Sequence, residues 1–274
     1  MQNVLIATDL SKNSEYVLKR AIKLTLDTKA KLHILHVIST SHMTGNASDI
    51  YSARNEADSR IKSLVEAYTE QTGLDYSVYI ESLGRIRDFI QDYARKLHAD
   101  LIVIGSSHRM EDGFSSVLTR SEHVIVQAQR PVLVVRSSDI SDYQDVFIAA
   151  REALEPLSML RPVCKLGLAA TITMTLPYHS SLVEEGFFAC LINKWSLYKI
   201  RRARKRIEMI FNRYGLDIRR LTIEDGESGV APKPTVDLLV LPWQSSDLMK
   251  AEFDSSVRHI LQEDTHDILF GESV

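Results

Sequence analysis

The chain has 274 residues, enough for two domains of ordinary size. Its 45% hydrophobic and 25% charged residues and its formal net charge of -3 are those of a soluble globular protein, with no overall basic surface for nucleic acid or an anionic membrane. Two cysteines, Cys164 and Cys190, make no disulfide framework. They read as reduced, mostly buried thiols of a cytoplasmic protein.

The N-terminal stretch MQNVLIATDL carries no basic segment before its apolar run, so no signal peptide is expected. Nor does any apolar run approach the ~20 residues that span a bilayer. Val4 to Ala7 reads as a strand, with Thr8, Asp9, Leu10 and Ser11 as the turn leaving it. A helix from about Asn13 to Asp27 buries Val17, Ala21 and Leu24. Leu32 to Ile38 is the second strand, and polar Ser39 to Asn46 is a loop. A second helix from about Ser48 to Gln71 carries Ile61, Leu64, Val65 and Tyr68 and stops at Gly73. Tyr76 to Ile80 alternates as a third strand. Gly84 then precedes the cleanest helical pattern in the chain, Ile86, Phe89, Ile90, Tyr93, Ala94 and Leu97.

Leu101 to Ile104 is a short run rich in β-branched residues that ends at Gly105, as expected of a strand buried on both faces. A polar loop follows, then a helix with Val117, Ser121, Val124, Ile125 and Ala128 on one face. Pro131 forbids further helix and opens the strand Val132 to Val135. Strands alternating with helices imply a parallel sheet covered on both faces, with its ligand end beyond the carboxyl ends of the strands. Asp9 and Gly105 lie at such ends. Strand, glycine, polar loop and helix start together describe a place to hold an anion.

The second half repeats the first. Residues 236–242, VDLLVLP, echo residues 99–105, ADLIVIG, and DVFIAA from Asp145 echoes NVLIAT from Asn3. LDIRRLTIED from Leu216 echoes the third-strand region beginning at Leu74, and His266 to Phe270 is the expected last strand. Between the third and fourth strands of this copy lies only GESGVAPKP, whose two glycines and two prolines make no helix. The counterpart of the Ile86–Leu97 helix is therefore expected to be missing. Burying one apolar side chain is worth about 1.5–3 kcal/mol, so the uncovered face needs a replacement. The apolar stretch Phe187 to Tyr214 is the candidate, either as replacement core or as an exposed docking surface. Within it the basic run Lys199 to Arg206 reads as the solvated face of a helix, or else as a patch for an acidic partner.

The stretch from Asp100 to Val135 resembles the C-terminal signature of the universal stress protein family. ATP-binding members of that family carry Gly, two residues, Gly, nine residues, then Gly-Ser or Gly-Thr. The same frame here falls on Gly105, His108, Leu118 and Thr119. The resemblance implies an α/β fold of two tandem doubly wound, Rossmann-like (adenine-nucleotide-hydrolase-like) domains, each with about five parallel strands. They would span residues 1–138 and 143–274, the second a degenerate copy without the third helix. It further implies an intramolecular pseudo-dimer in which Val132 to Val135 pairs with Ile268 to Phe270, hiding two sheet edges.

The resemblance also implies a nucleotide end formed by Ala7, Asp9, Val37, Ile104, Gly105, His108, Thr119, Arg120 and Ser121. Asp9 would meet the ribose, or it caps the first helix with Ser11. Val37 would meet the adenine with its backbone, or it is an ordinary core residue. Gly105 would let a phosphate approach, and Thr119, Arg120 and Ser121 would offer N–H and hydroxyl groups. His108 and Leu118 fill space that triphosphate oxygens need, although His108 is also able to hydrogen-bond a phosphate. In the second half the matching positions are Pro242, Ser245, Ser255 and Ser256, with Arg151 and Ala153 in place of Asp9 and Ser11.

No metal site is expected: His33 and His36 face opposite sides of one strand, and no cysteine pair has zinc-like spacing. No nucleophilic triad or Walker pattern is present either, so no catalytic residue is named. The expected function is a cytoplasmic stress-response protein that binds and docks partners rather than catalysing. ATP with Mg²⁺ in the first domain is the one candidate cofactor. A protein partner or a homodimer is expected, and nucleic acid is not. Two alternatives stand beside this reading: an ATP-binding switch with slow hydrolysis, and an apolar-ligand carrier built on the second domain.

Overall fold

The computed structural model describes residues 1–12, 14–38, 47–69, 73–106, 119–149, 156–167, 170–177, 202, 205–210, 212–214, 221–226, 236–243 and 266–272. The chain divides into two compact units, Met1–Ser141 with Ser245–Asp267, and Asp142–Gln244 with Ile268–Val274.

The first unit holds strands β1 (Asn3–Thr8), β2 (Lys31–Ile38), β3 (Tyr76–Ser82), β4 (Leu101–Gly105) and β5 (Val132–Val135), in the order β3-β2-β1-β4-β5. All four pairings are parallel. The strand order reverses between β1 and β4, so the two carboxyl ends flanking that point are those leading into Asp9 and Ser106. Helices α1 (Ser14–Thr28), α2 (Ala47–Thr69), α3 (Ile86–Lys96) and α4 (Arg120–Gln127) provide the crossovers. Their bounds match the sequence expectations within a residue or two; Val117, expected on the last helix, lies outside the described residues. Val4, Leu5, Ile6, Ile34, Leu35, Ile102 and Val103 are sealed from water. This is what continuous β-branched runs give when helices cover both faces.

The second unit holds β6 (Asp145–Ala149), α5 (Pro156–Lys165), β7 (Thr171–Pro177), β8 (Leu221–Gly226), β9 (Leu238–Trp243) and β10 (Asp267–Glu272, from Ile268 on). Its strand order, β8-β7-β6-β9-β10, repeats that of the first unit. The pairings of β6 with β7 and β9, and of β7 with β8, are again parallel. Neither α5, which carries Pro162 inside it, nor β7 was anticipated from sequence. The expected gap in place of a third helix falls at residues 227–235, outside the described residues. Of the Phe187–Tyr214 stretch, residues 202, 205–210 and 212–214 are described and helical. There Ile207 is buried while Arg202 and Lys205 are exposed, as the solvated-face reading of the basic run expects.

The repeat extends to a hydrogen-bonding device. Asp100, just before β4, takes the N–H groups of Gln2 and Asn3 on Oδ2 at 2.7 and 3.3 Å. Its own N–H donates to the Asn3 carbonyl. Asp237, just before β9, takes the N–H groups of Gln144 and Asp145 on Oδ2 at 2.7 and 3.0 Å, and its N–H donates to the Asp145 carbonyl. In both units a carboxylate at the entry of the fourth strand pins the entry of the first. Charge-assisted bonds of this kind are the stronger ones.

On the sheet face under α3 lies a polar chain. His33, 4% exposed, has Nε2 3.1 Å from Asn3 Oδ1 and Nδ1 3.3 Å from the Tyr79 hydroxyl. The Asn3 oxygen only accepts, so Nε2 carries the proton and Nδ1 accepts from Tyr79. Tyr79 packs on Tyr93 at 4.9 Å between ring centroids, and the Tyr93 hydroxyl donates to Glu81. Burial first, then the Glu81 carboxylate, pushes the Tyr93 phenol up to about 12. Burial, helped by Lys31 and opposed by Asp75, pushes the His33 imidazole below its ordinary value of 6.5. A depressed pKa means the unfolded chain binds a proton that the folded chain resists. The His33 contribution is therefore complete above pH 6.5 and declines as pH falls from there through the folded value. The pH dependence of the urea midpoint should flatten over that window in His33→Gln; an unchanged slope would mean another group titrates.

Candidate functional site

The β1–α1 connection is built by its own short polar side chains. Asp9 Oδ1 accepts the Ser11 N–H at 3.0 Å, and Thr8 Oγ1 accepts the Leu10 N–H at 3.1 Å. The Thr8 hydroxyl donates to Ser14 Oγ at 3.1 Å, and Ser14 Oγ donates to the Ser11 carbonyl at 2.8 Å. Ser11 Oγ accepts the Ser14 N–H at 3.2 Å, where α1 begins. Ser11 thus serves the helix, while Asp9 shapes the turn before it. The turn drives Leu10 to φ 59°, a left-handed conformation costing a non-glycine residue about 1–2 kcal/mol. The Leu10 side chain offsets that by packing on Ile38, Ala57 and Ile80. Asp9 itself remains exposed. Partial desolvation pushes its carboxyl up, but hydrogen bonds from Ser11 and Ser14 outweigh this and leave it below the usual carboxylate value. It is an anion at neutral pH, at the open end of the strand-order reversal.

Beside it, His36 and Thr8 are register partners, and His36 Nδ1 lies 2.9 Å from the Thr8 carbonyl. A carbonyl only accepts, so Nδ1 holds the proton and the imidazole ties the tops of β1 and β2 together. Sequence reasoning did not single out His36 for this position. Ala7 and Val37 are half-buried on the same two strands.

At the end of β4, Ile104 is buried and Gly105 half-buried, paired with Val134 and Val135. Gly105 does not have a positive φ. A Cβ on it would lie 3.2 Å from Cγ2 of Val17 on α1. The glycine eases close helix–strand approach here, since a Cβ would require Val17 to give by a few tenths of an ångström; its missing side chain opens space toward α1 rather than providing a turn.

Thr119 caps α4, with φ -66° and ψ 169°. Its N–H donates to Glu122 Oε2 at 2.6 Å, and its Oγ1 accepts the Glu122 N–H at 3.3 Å. Glu122 is 2% exposed and Ser121, 3.4 Å from the Thr119 hydroxyl, is also buried. This is a closed capping box, worth about 1 kcal/mol to the helix. The sequence expectation of a Thr119 amide turned toward a ligand meets a different partner in the structure: that amide is engaged by Glu122. The Thr-Arg-Ser-Glu spacing carried this signal and was read for the N–H and hydroxyl groups it could offer a ligand, not for a capping box. The backbone of Arg120 opens α4; its side chain, like His108 and Leu118, lies outside the described residues. So do Arg151, Ala153, Ser245, Ser255 and Ser256 of the second half, whose Pro242 lies within β9.

The structure therefore brings Ala7, Asp9, Val37, Ile104 and Gly105 to one end of one sheet. Among the described residues, no group of three or more His, Cys, Asp or Glu is placed to hold a metal ion. Nor is any helix there long and apolar enough to cross a membrane. Cys164 is buried, and burial pushes its thiol up to about 11.

The strand order, the crossovers and the Asp9 and Gly105 ends can be set against known proteins. Residues 1–136 match the Universal stress protein family model. Residues 1–136 belong to the universal stress protein family. A curated Staphylococcus aureus (strain USA300) protein bearing the universal stress protein name is 28% identical over 151 residues, which cover 52% of this chain and 89% of that protein. The fold likeness extends through both halves. A universal stress protein from Archaeoglobus fulgidus DSM 4304 superimposes with a TM-score of 0.66 at 16% identity, covering 98% of each chain. A protein of the same name from Pseudomonas aeruginosa UCBPP-PA14 gives 0.60 at 16% identity, covering 100% of this chain and 94% of that one. The α/β, mostly parallel, Rossmann-like architecture read from sequence is thus the one observed, and the family supports a role in stress response.

Proposed function

We propose that this chain is a tandem universal stress protein that acts in the stress response by binding and docking a protein partner rather than by catalysis. The second unit is a degenerate copy of the first, and nucleotide binding in the first is at most weak. The observation that supports this reading is a contrast at one end of one sheet. The scaffold that positions a ligand is intact at Asp9, Val37 and Gly105. The phosphate frame carries His108 and Leu118 where the resemblance calls for glycine. The Thr119 amide at the start of α4 is held by Glu122. An imidazole and an isobutyl group at those two positions of the frame are bulkier than the hydrogen of glycine and leave phosphate oxygens less room than a bare backbone would. A cytoplasmic location, with a second copy of the chain or another protein as partner, completes the proposal; the reduced, buried Cys164 agrees with such a compartment.

Isothermal titration of the full chain with ATP and Mg²⁺ tests it. A dissociation constant of 1 mM is about −4 kcal/mol and 1 µM about −8 kcal/mol. The expected result is no saturable heat tighter than about 1 mM. His108→Gly/Leu118→Gly should tighten binding if the two side chains are what block the cradle. Micromolar binding to the native chain, lost in Asp9→Ala, would establish the alternative of an ATP switch. The exposed, ionised Asp9 at the strand-order reversal is the feature that favours that alternative.

A further inference from the structure

Arg20, on α1, is 3% exposed, and Asp267 is fully buried. Both belong to the first unit. Arg20 Nε lies 3.3 Å from Asp267 Oδ2. The two terminal nitrogens of Arg20 donate to the carbonyls of Ser141 and Asp139, each at 2.6 Å. Asp267 Oδ1 accepts the N–H groups of Arg136 and Ser137 at 2.8 and 2.9 Å. One guanidinium and one carboxylate, both out of water, thereby serve four backbone groups of the single segment 136–141 that leaves β5. The other ion pairs described are far more open; Lys23 and Asp27, for example, are 31% and 48% exposed.

We propose that this pair is a conformational tie that completes the ligand end of the universal stress protein domain with a carboxylate from far outside residues 1–136. The β5 exit keeps its shape only while Asp267 is in place. Two charges removed from water are stable only together and with their remaining hydrogen bonds made. Arg20 sits on the helix that packs against Gly105 through Val17. Asp267 holds the residues that follow Val135, the register partner of Gly105. The tie therefore grips both neighbours of that glycine. Tyr16, half-buried one turn before Arg20, lies in the fields of Asp267, Arg136 and Asp9, which places the tie and the Asp9 turn in one electrostatic neighbourhood. The inference does not depend on a nucleotide being bound.

Full-length variants test it by amide hydrogen exchange and urea unfolding. Asp267→Asn should shift the folding equilibrium toward the unfolded chain by on the order of 100-fold or more. It should also raise exchange at Arg136 and Ser137 at least about ten-fold relative to the β2 amides. The Tyr16 phenol, pushed up first by burial and then by the Asp267 charge, should titrate lower. Arg20→Met/Asp267→Leu removes both charges and keeps the volume. It should recover most of the lost stability while leaving the Arg136 and Ser137 amides fast, since leucine accepts no hydrogen bond. Exchange at those two amides matching the native chain in either variant would overturn the tie. So would an Asp267→Asn folding equilibrium within about three-fold of native, a difference worth only about 0.6 kcal/mol.

Discussion

Phe270→Ala is expected to lower the unfolding free energy by about 3–5 kcal/mol, the range for removing a buried aromatic ring. Phe270 is 1% exposed and heads the fully buried side chains by volume. It sits on β10 next to Gly271, where a Cβ would lie 3.4 Å from Met159 Cα and 3.5 Å from Pro162 Cγ of α5. Backbone as close as this leaves the strand little room to sink into the hole left by the ring, so the cavity term should stay large. Urea unfolding followed by circular dichroism gives the number. Met209→Ala, at a side chain 57% exposed, is the companion variant and should change stability by less than about 0.5 kcal/mol. If the two variants behave alike, β10 is not the core strand described above.

Leu5→Ala should cost about 2–5 kcal/mol. Leu5 is 0% exposed and lies in β1, which is paired on both sides, to His33 of β2 and Ile102 of β4. A central parallel strand has no solvent edge toward which its neighbours can relax, which argues for the upper part of that range. Ile6→Val, also at 0% exposure, removes one methylene and should cost about 0.5–1.5 kcal/mol. A Leu5→Ala loss smaller than that of Ile6→Val would show that β1 is repacked rather than rigid.

Much of the fold was legible because its signals are local. The runs at Val4, Leu32 and Leu101 announce buried parallel strands, and the spacing of Ile86, Ile90, Tyr93 and Ala94 announces α3. The likeness of ADLIVIG and VDLLVLP announces the repeat. What escaped is of two kinds. Some signals were local but weak: α5 carries Pro162 within it, which argues against a helix, and Thr119 to Glu122 is a capping box spread over four polar residues. Others are not local at all. Nothing near Arg20 in sequence shows that its charge meets Asp267, and the role of Asp100 is visible only once Gln2 and Asn3 lie beside it. At the candidate site, residue types at strand ends could be read from sequence, while hydrogen-bond direction could not. Asp9 follows β1 as its place in the sequence suggested, while its division of labour with Ser11 rests on which N–H points at which oxygen. Gly105 was valued for what it admits from outside, and the structure shows what it admits from α1.

The carboxylates at 100 and 237 let one half of the molecule serve as the control for the other. Both halves keep the same strand-entry clasp, down to which oxygen receives which amides. Over the same pair of half-chains Asp9 is matched by Arg151 and Gly105 by Pro242. Parts that hold strands together have been retained in duplicate, and parts that would touch a small molecule have drifted apart. The second unit thus repeats the strand order of the first while its sequence carries neither the acid nor the glycine that mark the strand ends there.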